Sequence, residues 1–150
     1  METEYAVRLE TKQVREEDFP YNGQQLSGTN EVLAFVNSLQ DSDVEKFLVL
    51  HLDNQNILNC IQVIVGTVSC AIVYPREVIK HAILSNSSSM ILIHNHPSGK
   101  EIPSQADISL TKKVVDAAKT LDIIVHDHII IGNLRNNQFY SFLEHGVLPI

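Results

Sequence analysis

His94 and His96 stand two residues apart at the end of the apolar run Met90-Ile91-Leu92-Ile93. Side chains at i and i+2 of a β-strand point to the same face, so two imidazoles on a strand can address one point while Asn95 between them faces the other way. That geometry suits a divalent metal. Pro97 ends a regular ladder and Ser98-Gly99 turns the chain, so the next helix can begin close to where the imidazoles project. The first turn of that helix contains Asp107. A carboxylate there would complete a His, His, Asp set around one Zn2+ and leave the fourth tetrahedral position for water, the arrangement of a catalytic rather than a structural site. Hydrolysis is the chemistry such a centre makes available.

The elements that must carry these residues are legible in the periodicity. Met90 to Ile93 reads as a central strand covered on both faces. Pro103-Ser104 introduces a helix over about Gln105 to Leu121, with Ile108, Thr111, Val115 and Ala118 at spacings of three and four. Upstream, Phe47 to Leu52 and Ile57 to Val65 are rich in β-formers and flank Asp53-Asn54-Gln55-Asn56, which predicts an antiparallel hairpin. Gly66 to Val73 extends the sheet. Pro75 then opens a helix with Val78, Ile79, Ala82 and Ile83 along one side. Ile123 to Ile131 forms another strand, and Phe139 to Phe142 pairs back as a last short one. At the start, Tyr5 to Leu9 suits a short strand, and the polar stretch through Gly28 reads as a looped arm. Thr29 caps a helix carrying Val32, Leu33, Val36 and Leu39. The order of elements predicts a mixed α/β fold of α+β-like type, with residues 1–28 as strand and arm and 29–150 as the domain.

Composition narrows the function classes. The chain has 150 residues, 44% of them hydrophobic, which fits one domain with a buried core. Eleven Lys+Arg against 18 Asp+Glu leave a net charge of -7, which argues against nucleic acid held by bulk charge. Cys60 and Cys70 are too few for a disulfide framework and wrongly spaced for a CxxC pair; they read as small buried apolar residues in a reducing, cytoplasmic setting. The acidic start Met1-Glu2-Thr3-Glu4 lacks the basic and apolar regions of a secretory signal, and no apolar run approaches the roughly 20 residues of a membrane span.

The spacing His94-x-His96, seven residues, Ser104, two residues, Asp107 matches the JAMM motif of the MPN+ (JAB) metallopeptidases. The wider string His94-Asn95-His96-Pro97-Ser98-Gly99 and Pro103-Ser104-x-x-Asp107, with Pro75-Arg76-Glu77-Val78 upstream and Asp127-His128 downstream, resembles the bacterial RadC family in particular, from about Asp43 to Gly146. The resemblance implies a curved mixed β-sheet packed with helices, of cytidine-deaminase-like architecture. It implies Zn2+ as cofactor on His94, His96 and Asp107. It also assigns Glu45, in Val44-Glu45-Lys46-Phe47, as the carboxylate that takes a proton from water and returns it to the leaving amine. Ser104, by the same resemblance, helps hold the oxyanion of the tetrahedral intermediate. Asn95 stands where many JAMM enzymes have Ser or Thr, in agreement with the RadC string.

Several of these residues have a second reading. Ser104-x-x-Asp107 at a helix start is also the shape of a capping box, and Ser104 could do both jobs. Asp127 and His128 would serve as support behind the ligands or as a structural hydrogen bond, and His126-Asp127-His128 is itself a second HxH. His51, His81 and His145 have no partners at ligand spacing. Two functions follow. One is a zinc-dependent hydrolase acting on the amide bond of a peptide or protein substrate. The other is a RadC-type accessory protein in DNA repair or recombination with a structural metal site; the acidic balance counts against it, as does the missing helix-hairpin-helix segment that precedes this domain in longer RadC proteins. Zinc deamination of a nucleobase would need HxE with PCxxC, and neither occurs. The first 28 residues could be a dimer arm in a homo-oligomer, a substrate clamp or a covering strand.

Overall fold

In the computed structural model, which describes residues 1, 3, 5–66 and 72–149, the first side chains to reach the core are Phe19 and Leu26. Residues 5–18 form neither helix nor strand. The strand expected at Tyr5 to Leu9 is therefore not formed: Tyr5, Val7 and Leu9 are more than 80% exposed. Alternation alone does not make a strand, because the ladder hydrogen bonds come from a neighbour, and no described strand lies alongside. From Phe19 on, the arm covers one face of the sheet. Leu26 N donates to Asn56 O across 2.9 Å.

Helix α1, Thr29–Phe35, starts with Gly28 rather than Thr29 in the capping position. The single helix expected through Leu39 breaks at Val36 and tightens into a 3-10 helix, Asn37–Asp41, which turns Leu39 into the core. Strands β1, Lys46–Leu52, and β2, Leu58–Val65, form the expected antiparallel hairpin. Asp53 builds its turn by accepting from Gln55 N and Ile57 N, and Asn56 takes the left-handed conformation such a turn needs (φ 60°). The strand extension expected over Gly66 to Val73 is not seen at Gly66, Ile72 or Val73, and the rest of it, with Cys70, lies outside the described residues. Cys60 is half-buried.

Helix α2, Pro75–Leu84, begins at Pro75 as expected and buries Val78, Ile79 and Ala82, while Ile83 turns outward. Strand β3, Ser89–Asn95, is buried along its whole length. Helix α3, Gln105–Thr120, buries Thr111, Val114, Val115 and Ala118 and leaves Ile108 partly exposed. Strands β4, Ile124–Ile131, and β5, Phe139–Ser141, complete the chain.

The sheet order is β2-β1-β3-β4-β5, antiparallel except for the central β3/β4 pair. Parallel neighbours require a crossover, and α3 supplies it, so α3 must begin beyond the end of β3 where His94 and His96 lie. One face packs Leu48, Leu50, Ile91, Ile93, Ile129 and Ile131 under the layer formed by residues 19–41. The other packs Phe47, Val49, Met90, Leu92 and Val125 under α2 and α3. Burial on both faces explains why β3 is a continuous apolar run. The result is a mixed α/β fold, a five-stranded mixed sheet with three α-helices among the described residues, consistent with a JAB/MPN architecture. Among the described residues, no helix is long and apolar enough to cross a membrane.

Candidate metal centre

His94 closes β3 on the face covered by α3, paired in register with Phe47 of β1 and Ile130 of β4. Its ring stacks on Phe47 at 5.5 Å and is almost wholly buried. His96 lies just past the strand end, fixed by its N–H donating to Ile131 O at 3.0 Å. The two rings converge, with His94 Nε2 3.0 Å from His96 Nε2. Lys100 O, which can only accept, lies 2.9 Å from His96 Nδ1; that nitrogen carries a proton, and Nε2 faces the site.

Asp107 reaches the same point from the first turn of α3. Its Oδ1 is 3.2 Å from His94 Nε2 and its Oδ2 is 3.3 Å from His96 Nε2. The capping box is present: Ser104 Oγ accepts from Asp107 N (3.1 Å), and Ser104 N donates to Asp107 Oδ2 (2.8 Å). The box fixes the carboxylate toward the imidazoles. Ser104 Oγ acts there as an acceptor, so its own hydroxyl proton has no partner among the described residues.

Glu45 reaches the cluster from one residue before β1. Its Oε1 lies 3.9 Å from both His94 Nε2 and His96 Nε2, and a ligand atom from each of Glu45, His94 and His96 falls within 4.8 Å of the others. The backbone there is clamped. Asn95 Oδ1 accepts from Lys46 N at 2.7 Å, Asn95 Nδ2 donates to Val44 O at 3.0 Å, and Gly66 N donates to Glu45 O at 2.7 Å. Asn95 thus uses the strand alternation that turns it away from the imidazoles to hold Glu45 beside them.

Solvent reaches the cluster from one side: the side chains of Glu45, Asp107 and His96 are 12, 14 and 18% exposed, against 2% for His94. Burial alone would push Asp107 up, but hydrogen bonds to His94 and His96 outweigh it and hold the carboxyl well below the usual carboxylate range. The bond to Asp107 raises His96 above an ordinary imidazole, against the effect of its partial burial. Two imidazole nitrogens and a carboxylate this close suit a shared cation. A tetrahedral Zn2+ with bonds near 2.0–2.1 Å sets its ligand atoms roughly 3.3 Å apart, and the observed separations of 3.0, 3.2 and 3.3 Å fit that edge.

Behind His94, its Nδ1 lies 2.8 Å from His128 Nε2, and His128 Nδ1 lies 2.5 Å from Thr111 Oγ1. His128 is fully buried, which lowers its pKa well below that of a free imidazole. Asp127 does not share this role. Its carboxylate accepts from Ser141 Oγ (2.5 Å), His128 N (2.7 Å) and Leu143 N (2.9 Å), stapling β4 to the chain around β5. The two readings offered for this pair thus divide between its members: His128 touches a site imidazole, and Asp127 makes structural hydrogen bonds. His126 is half-buried, and no hydrogen bond among the described residues joins it to the cluster. Residue types and spacing did not disclose Asn95 or Thr111, since an amide facing away from a strand and a threonine on an apolar helix stripe both have ordinary packing roles.

A family model described as RadC-like JAB domain matches residues 26–147. Among curated relatives, the UPF0758 protein YkfG of Escherichia coli (strain K12) is 49% identical over 105 residues, 69% of this chain and 65% of the relative. The UPF0758 protein YfjY of the same strain is 46% identical over 105 residues, 69% and 64% of the two chains. A UPF0758 protein of Haemophilus influenzae (strain ATCC 51907 / DSM 11121 / KW20 / Rd) is 43% identical over 117 residues, 77% and 52%. The matched stretch thus spans between about half and two thirds of these relatives' length. The element order, the HxH, Ser and Asp cluster at the end of β3 and the start of α3, and a match that covers most of the sequence agree, and the chain belongs to the RadC-like JAB domain family.

Proposed function

We propose that the protein is a zinc-dependent hydrolase of the JAMM type that cleaves an amide bond in a peptide or protein substrate, acting in the cytoplasm. The observation that carries this reading is the placement of Glu45. Asp107 sits at 3.2 and 3.3 Å from the two imidazoles, in the range of a fellow ligand, whereas the Glu45 carboxylate stands off at 3.9 Å from both. His94, His96 and Asp107 would hold the ion, and Glu45 is left free for proton transfer.

The ion, when bound, supplies Lewis acidity at the scissile carbonyl and brings water activation into the neutral pH range. Glu45 takes a proton from the attacking water and delivers it to the departing amine; its low exposure and clamped backbone favour that role. Ser104 donates its spare hydroxyl proton to the carbonyl oxygen as negative charge develops, while its Oγ lone pair keeps the cap on Asp107 N. Partial exposure on the Glu45 and His96 side gives an extended chain access to the reacting atoms.

The test is cleavage of peptide and isopeptide libraries by the zinc-loaded protein and by Glu45→Gln. Metal-dependent cleavage that disappears in Glu45→Gln with zinc retained supports the reading. Cleavage that survives the substitution removes Glu45 from the chemistry.

A further inference from the structure

We infer that Thr111 and His128 form a positioning relay that sets the tautomer of His94, keeping its proton on Nδ1 and its Nε2 lone pair directed at the metal centre. The hydrogen-bond inventory leaves one arrangement. Thr111 has a single hydroxyl proton, and Oγ1 lies 2.6 Å from Asp107 O, a carbonyl that can only accept. Two oxygen lone pairs at that distance repel, so the hydroxyl proton lies between them. Thr111 Oγ1 then meets His128 Nδ1, at 2.5 Å, as an acceptor, and His128 must carry its proton on Nδ1.

A neutral His128 protonated on Nδ1 has an unprotonated Nε2. The 2.8 Å contact from that atom to His94 Nδ1 is a hydrogen bond only if His94 Nδ1 donates. A second proton on His128 would place a cation on a ring with no solvent exposure, a costly burial. Phe142 stacks on the His128 ring at 4.8 Å and Phe47 meets it edge-on at 5.6 Å, so the ring is held against a flip that would exchange its nitrogens. The proton order runs Asp107 O, Thr111, His128, His94, and it starts and ends on two residues that face the same point. His96 reaches the same tautomer by a different route, through Lys100 O. Both imidazoles therefore hold a proton on Nδ1 and turn Nε2 toward the metal centre. A neutral imidazole free to choose would spend part of its population with Nε2 protonated and unable to ligate.

The tautomer assignment stands on the protein's hydrogen bonds alone; its consequence for zinc rests on the ligand set proposed above. The experiment therefore reads the two separately. Long-range proton–nitrogen NMR correlation spectra of the metal-free full chain should show His128 as the Nδ1–H tautomer and a proton on Nδ1 of His94. Zinc affinity, measured by chelator competition, should fall about tenfold to a hundredfold in Thr111→Val and stay near that of the native chain in Thr111→Ser, which keeps the hydroxyl. Observation of His128 as the Nε2–H tautomer in the native chain overturns the relay, and so does a folded Thr111→Val with unchanged zinc affinity and an unchanged His94 spectrum. Should Thr111→Val fail to fold, the native spectrum still decides. A chain with the expected tautomers that binds no zinc supports the relay and defeats the ligand assignment alone.

Discussion

Asn95 Oδ1 accepts a 2.7 Å hydrogen bond from the backbone N–H of Lys46 while its Nδ2 donates to the carbonyl of Val44, so the residue between the two site histidines grips both neighbours of Glu45. The clamp lies within the sheet core, since Asn95 is 1% exposed. Replacing Asn95 with Ala strands a donor and an acceptor in a dry setting, a loss of about 1–3 kcal/mol. Urea unfolding should show that loss. Elemental analysis should still find one zinc per chain while kcat for the proposed cleavage drops, because the variant loosens Glu45 and spares the ligands. A variant with native stability and native turnover would show that the clamp is dispensable.

His94→Ala and Asp107→Ala should both lower the zinc content, read by elemental analysis after purification in metal-supplemented buffer. Asp107→Ala should also lose roughly 1 kcal/mol of stability beyond the metal effect, because its carboxylate is half of the capping box at the start of α3. Full zinc occupancy in both variants would refute the ligand set.

Acid should weaken the fold through His51. This side chain is completely buried, donates from Nε2 to Gln62 Oε1 at 3.1 Å and leaves Nδ1 without a partner among the described residues. Burial lowers its pKa from 6.5 to about 4, against the raising effect of the Gln62 bond, with His81 nearby lowering it further. A group depressed in this way is neutral in the folded chain and charges more readily when unfolded. Its contribution is complete above pH 6.5 and drains away as the pH falls toward 4, on the order of 3 kcal/mol over that window. Unfolding free energies at pH 7 and pH 4.5 should differ by less in His51→Phe than in the native chain. An equal pH dependence in the two would exclude His51 as a source of acid sensitivity.

Gly132 follows β4 directly and touches the loop that carries His96 toward α3. A Cβ on residue 132 would sit 2.6 Å from Gly99 O and 3.1 Å from Gln138 O, both backbone atoms with little freedom to yield. Gly132→Ala should therefore push the His96–Gly99 turn outward, with an overpacking cost of about 1–3 kcal/mol. A lowered Tm and weaker zinc retention under chelator competition are the expected outcomes. Unchanged values for both would mean that the loop has slack that the contact distances do not suggest.

The parts of the fold legible in the sequence are those where one force acts alone. Met90 to Ile93 is apolar throughout because β3 is covered on both faces, and Pro75 marks the first turn of α2 because its fixed φ suits that position. His94 and His96 were readable because strand geometry fixes how i and i+2 relate, and Asp107 because a helix start announces itself. Where two demands compete, the pattern misleads. Tyr5, Val7 and Leu9 alternate like a strand and lack one to pair with. Ile83 and Ile108 fit an apolar stripe, yet their helices are rotated so that both face outward in part, and Val114 takes an inner place. Thr111 lies on that same stripe and is buried as expected, but its hydroxyl, not its methyl, gives it meaning. Which atom of a buried threonine matters depends on the ring opposite, and that ring comes from β4, many residues further on.

The Asp107 carboxylate serves two masters at once: it completes the helix start at Ser104 N and faces both imidazoles. On the proposed ligand set, occupancy of the site and integrity of the α3 end become a single mechanical quantity, so a visiting ion would tighten the helix terminus and a departing one would fray it. Amide exchange in the first turn of α3 should then act as a built-in gauge of loading, legible without a substrate, and no drift in this position can relax one duty while sparing the other.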